Sequence, residues 1–163
     1  MHFSSSIRIL LVGFGIVSNG ALATVTVAYD EAAHFSDAGD HWQASRTAHE
    51  IKRHLELLGN RYLSPSQNLR IEIVDIDLAG RTFLTRGAEE IRVLNGRADW
   101  PSMKLRYTLE SDGKITDARE ETVADMGYLE RPAPSGSSAL YYEKRMLEDW
   151  FRQRFVEQRR PAP

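Results

Sequence analysis

Apolar and polar residues alternate over Thr24-Val-Thr-Val-Ala-Tyr-Asp30, a run rich in β-branched side chains, so residues 24–30 are predicted to form a first strand. A polar stretch from Glu31 to Trp42 reads as a loop, with turn chemistry at Asp37, Gly39 and Asp40. The period then changes. Ala48, Ile51, Leu55, Leu58 and Tyr62 recur at steps of three and four and form one apolar stripe of a helix, with Ser45 suited to its N-cap and Pro65 closing the segment. Period two returns in "NLRIEIVDIDL", residues 68–78, the strongest strand signal in the chain. "GRTFLTRGAEE" reads as a loop, and the stretch from Ile91 to Pro101 as a short strand ending at Asn95-Gly96. Met103, Leu105, Tyr107 and Leu109 alternate with polar residues, and Asp112-Gly113 is a strong turn pair, so a hairpin is predicted there. Its return strand is poor in apolar residues, as suits a sheet edge.

"DMGYLERPAPSGSS" reads as a linker with a short turn near Tyr128. A last helix is expected from about Ser138 to Gln158. Leu140, Leu147, Phe151 and Phe155 form its core stripe, widened by Tyr142, Met146 and Trp150, and Glu148 and Arg152 are spaced as an i,i+4 ion pair. The whole predicts an α+β fold with two layers: a mostly antiparallel sheet of four to five strands, and two main helices packed on one face.

The main strand changes parity part-way along. Leu69, Ile71 and Ile73 are apolar, with Arg70 and Glu72 between them; then Val74, Ile76 and Leu78 are apolar, with Asp75 and Asp77 between them. Either a β-bulge near Ile73-Val74 turns the two acids to solvent, or the strand is regular and they face inward, where they need arginine partners such as Arg81, Arg86, Arg92 or Arg145. In the structural reading Asp75 and Asp77 brace the following loop through backbone N–H groups and one arginine. In the functional reading they are a carboxylate pair poised for acid–base work or cation binding. Arg81 and Trp150 join them as candidate ligand-binding residues; the bland reading of Trp150 is core packing.

The first residues have a different character. Within 1–23, Arg8 is the only formal charge, an apolar run extends from Ile9 to Val17, and Ala21-Leu22-Ala23 is an A-x-A cleavage signal. This pattern predicts a signal peptide cleaved after Ala23, leaving a single domain over residues 24–163 in the periplasm or outside the cell. The apolar run is too short for a permanent membrane span, and no other run approaches that length. The chain has no cysteine, which excludes a lipid anchor, a disulfide framework and a thiol nucleophile. Removing residues 1–23 lowers the basic count from 21 to 20 against 23 acids, a net charge of −3, which offers nucleic acid no bulk attraction.

Familiar catalytic patterns are missing. "HEIKRH" resembles a zinc-protease motif, but His49 and His54 are five residues apart, about 140° around a helix, where two rings cannot grip one ion. "DAGDHW" lacks the ligand ladder of a calcium loop. No G-x-S-x-G elbow, phosphate loop or dinucleotide fingerprint occurs. No catalytic residue, metal ligand set or cofactor is expected.

"FSDAGD" (35–40), "IVDIDLAGR" (73–81), "DMGYL" (125–129) and "YYEKRMLEDWF" (141–151) together resemble a bacterial family of secreted proteins catalogued as a domain of unknown function, number three thousand and sixteen. The resemblance implies an exported single-domain protein and supplies no activity. The expectation is therefore a soluble, non-enzymatic module of the cell envelope that binds an envelope protein or a small ligand. The rival is an enzyme or divalent-cation-binding protein that uses Asp75 and Asp77.

Overall fold

Period-two patterning in the middle of the chain becomes the central strand of a four-stranded sheet. The computed structural model describes residues 23–29, 35–39, 41–84, 90–96 and 98–157. The expected leader lies outside them except for Ala23, as do His34 and Arg86. The elements are β1 (Thr24–Tyr29), α1 (His41–Tyr62), β2 (Gln67–Asp77), β3 (Arg81–Leu84), β4 (Glu90–Val93), β5 (Ser102–Ser111), β6 (Lys114–Ala124), a 3-10 turn (Tyr128–Glu130) and α2 (Tyr141–Phe155). The main sheet runs β1-β2-β5-β6, with β3 and β4 in a separate two-stranded ribbon. β1 and β2 are parallel because α1 carries the chain back over the sheet between them; the β2–β5 and β5–β6 pairs are antiparallel.

The core lies between one sheet face and the two helices. Leu69, Ile71, Ile73 and Ile76 of β2 and Met103, Leu105, Tyr107 and Leu109 of β5 are buried there, against Ile51, Leu55 and Leu58 of α1 and Leu147, Phe151 and Phe155 of α2. Each such side chain contributes roughly 1.5–3 kcal/mol when fully removed from water. β6 contributes Val123 alone to the buried set, as a sheet edge should. The β5–β6 turn places Asp112 at φ 52° and Gly113 at φ 76°, the positive pair of a type I′ hairpin. α1 approaches β1 so closely that a Cβ on Gly59 would overlap the side chain of Val25.

Three local expectations change. α1 begins at His41, so Ser45 lies inside the helix and does not cap it; a tertiary contact anchors these first turns, with the Thr47 hydroxyl donating to Ala38 O at 3.3 Å. Glu148 does not pair with Arg152. It accepts from Tyr62 Oη at 2.9 Å and Arg61 at 3.3 Å, joining the end of α1 to α2, while Arg152 pairs with Glu157 at 3.5 Å. An exposed i,i+4 pair is worth only about 0.3–0.5 kcal/mol, too little to outbid a hydrogen-bonded partner across the helix seam. Finally, residues 81–84, expected as loop, form β3 and pair with β4 in the register Arg81↔Val93, Thr82↔Arg92, Phe83↔Ile91 and Leu84↔Glu90.

Candidate functional site

The parity change in β2 is a β-bulge: its register against β5 shifts between Ile73 and Asp75. Ile76 thereby returns to the core opposite Met103, while Asp75 and Asp77 stand opposite Lys104 and Ser102, away from the helices. Both acids are half-buried. The segment 35–39 runs beside them. Asp37 N–H donates to Ile76 O at 3.0 Å, and Leu78 N–H donates to Asp37 O at 2.9 Å, which makes a parallel bridge between Asp37 and Asp77. Ser36 gives Asp75 two hydrogen bonds, from its N–H at 2.8 Å and from its hydroxyl at 2.6 Å. Asp75 is thus a brace, but for the segment before α1 rather than the loop after β2, and through a serine rather than an arginine.

Asp77 has the opposite environment. Burial, and after it the nearby Asp37, Asp75 and Asp99, hold its carboxyl above the usual aspartate range. Its ionised form is therefore disfavoured in the folded state, and stability falls as pH rises from 3.8 through the raised folded value. Asp77→Asn is expected to stabilise the fold at pH 7, with the gain vanishing at pH 3.5. Asp75→Asn is expected to lose about 1–2 kcal/mol at pH 7, because an amide oxygen cannot replace both accepting oxygens. Urea unfolding of both variants at the two pH values checks this; a destabilised Asp77→Asn at pH 7 would refute the crowding account.

Beyond Asp77 the chain turns through Leu78, Ala79 and Gly80, all buried. Gly80 has φ +82°, and its backbone lies against Val93 O, so both conformation and space demand glycine. Here the structure supplies residues outside the candidate set. Glu143 of α2 is fully buried and accepts from Ala79 N–H at 3.2 Å. Arg92 of β4, only 17% exposed, forms an ion pair with the same Glu143 oxygen, donates to Ala79 O, and donates to Ala139 O at 2.9 Å. Arg92 thus ties the ribbon, the β2 exit and the start of α2 together. A sequence signal existed: Leu140, Glu143, Leu147 and Phe151 are spaced as one helix stripe, and an acid on an apolar stripe needs a partner.

A second arginine clamps the next segment. Arg145 donates to Tyr128 O at 2.6 Å, to Asp125 Oδ2 at 3.3 Å and to Arg131 O. Its guanidinium lies over the rings of Tyr141 and Tyr142, at 5.6 and 5.3 Å from their centroids. Tyr142 Oη accepts from Ala133 N–H at 3.2 Å, and its ring meets that of Tyr128 edge-on at 5.0 Å. The four stretches 35–40, 73–81, 125–129 and 141–151 are therefore linked in a chain of direct contacts: Ser36 to Asp75, Ala79 to Glu143, and Arg145 to Asp125 and Tyr128.

A family model described as protein of unknown function, DUF3016, matches residues 23–153. The chain belongs to this family. The match runs from the start of β1 to within two residues of the end of α2, and all four linked stretches of this DUF3016 chain lie inside it. No curated protein and no solved structure matches the chain.

The remaining candidates are dispersed. Trp150 is buried on the helix side of the sheet, opposite the face that carries Asp75 and Asp77. Its Nε1 donates to Glu121 at 2.8 Å, and its ring packs edge-on with Tyr107, Phe151 and Phe155. His54 is half-buried, which lowers its pKa, and its Nε2 lies 2.9 Å from Lys144 O; His49 is exposed. Among the described residues no three His, Asp or Glu side chains are grouped to hold a metal ion, and no helix is long and apolar enough to cross a membrane. Arg81 is exposed at the foot of the ribbon. It shares a ribbon face with Phe83, Ile91 and Val93, which are 50%, 45% and 40% exposed.

Proposed function

We propose that this protein is an exported, non-enzymatic module of the cell envelope that binds a protein partner through the outer face of the β3–β4 ribbon. One observation carries this reading: the ribbon is amphipathic the wrong way round. A two-stranded ribbon that served only stability would lay its apolar side on the body of the fold. Among the described side chains of the ribbon, Arg92 is turned inward and held by Glu143, while Phe83, Ile91 and Val93 face water. Clustered exposed apolar side chains are characteristic of contact surfaces, and Arg81 beside them offers a cation for a carboxylate on the partner. The leader-like residues 1–23 support export.

A photo-crosslinking residue at position 83, in the protein expressed in its own cells, should yield one discrete protein adduct. Ile91→Ser with Val93→Ser should abolish it, and a crosslinker at Thr108, on the open sheet face, should yield none. No adduct from position 83, or the same adduct from position 108, would refute the ribbon as the docking face. Recovery of an uncleaved product in the cytosol would refute export.

A further inference from the structure

We propose that the seam between α1 and α2 binds a small multivalent anion, a chain of phosphates or a polycarboxylate, independently of the ribbon. On α1, Arg46, His49, Glu50, Arg53, His54 and Leu57 recur at helical spacing and share one face. With Lys144 of α2 they line a groove of about 400 Å³, within the size range of small-ligand sites.

The pattern of ion pairing sets this groove apart. Arg61, Arg92, Arg106, Arg119, Arg131, Arg145, Arg152 and Arg154 each meet a carboxylate. Among the described residues Arg46, Arg53, Arg70 and Arg81 meet none, and of these four only Arg46 and Arg53 line one groove together, in a chain whose acids outnumber its bases by 23 to 21. Among the described residues Glu50 is the one carboxylate lining the groove, and it is engaged by Lys144. That pair cancels and leaves two arginine charges on the groove of a protein with net charge −2.

Seven residues along a helix place Arg46 and Arg53 about 10 Å apart on the same face, with His49 between them. This spacing suits a ligand with two or more anionic groups rather than a single ion. Each guanidinium can bind a phosphate or carboxylate by paired, charge-assisted hydrogen bonds. His54 bounds the floor, its Nε2 already directed at Lys144 O.

Isothermal titration of the purified protein with inorganic tripolyphosphate and with citrate tests the proposal. At least one probe should bind, and binding should weaken at least tenfold in the Arg46→Ala, Arg53→Ala double variant and weaken as salt is added. Both arginines are exposed and meet no carboxylate among the described residues, so the double variant should keep the wild-type melting temperature. Arg70→Ala, which removes an exposed arginine from the open sheet face, should leave binding intact. Binding of citrate as well as tripolyphosphate supports a general anion site; binding of tripolyphosphate alone supports it and narrows the class to phosphates. Failure of both probes to bind, or an equal loss in Arg70→Ala, overturns the proposal.

Discussion

Leucine in place of Arg92 should cost about 3–5 kcal/mol of folding stability, the loss typical of removing one partner from a buried ion pair. Glu143 has no exposure to water and, among the described residues, no other cation in reach, so the variant strands its charge in the core. One of its oxygens, Oε2, already lacks a hydrogen-bond partner among the described residues. The melting temperature should fall by on the order of 10 °C for a domain of this size. Pairing Arg92→Leu with Glu143→Leu should recover much of the loss, because no unpaired charge then remains buried. Recovery should be incomplete: Ala79 O and Ala139 O lose Arg92 in both variants, and Ala79 N–H also loses Glu143 in the double variant. A double-mutant cycle in urea measures this, and a double variant no better than Arg92→Leu would refute a charge-based account. Because Arg92 is the ribbon's anchor, Arg92→Leu should also abolish crosslinking from position 83.

Arg145→Ala is expected to lose about 3 kcal/mol, the sum of charge-assisted hydrogen bonds worth roughly 1.5–3 kcal/mol each less what water restores to the freed carbonyls. The local consequence is more telling than the global one. Asp125, Tyr128 and Arg131 are held to α2 by this guanidinium, so chymotryptic cleavage after Tyr128 should accelerate more than global unfolding explains. Arg145→Lys should rescue little, because one ammonium cannot span three acceptors while lying over two tyrosine rings. Full recovery in Arg145→Lys would show that charge alone is sufficient there.

Much of the fold could be read from local pattern. Helix and strand periods located α1, α2, β1, β2 and the β5–β6 hairpin, because each buries one stripe or one face and its sequence must repeat accordingly. The same logic failed at β3. Arg81, Thr82 and Phe83 present no apolar side chain to the core, since Arg92 on the opposite strand holds the ribbon in place and Phe83 points to water. A strand anchored by a charge leaves no hydrophobic signature. The Glu148–Arg152 pair failed for a related reason: spacing reports which partners are near in the chain, not which are near in space.

The candidate site divides in the same way. The parity of residues 69–78 marks where the strand changes face, because side-chain period in a strand is strict, and the register shift between Ile73 and Asp75 decides for a bulge over inward-facing acids. What the two aspartates do there depended on a segment forty residues away: Ser36 occupies Asp75, and Asp37 crowds Asp77. Arg92, Glu143 and Arg145 became visible as clamps only once the ribbon, the β2 exit and the 125–133 turn were placed against α2. Periodicity, turn chemistry and composition act over a few residues, so the sequence alone determined the elements other than β3, the place where the main strand changes parity and the two-layer class. Burial and charge pairing act between elements distant in the chain. Only the tertiary structure could decide which acid braces, which is crowded, and which apolar residues remain in water.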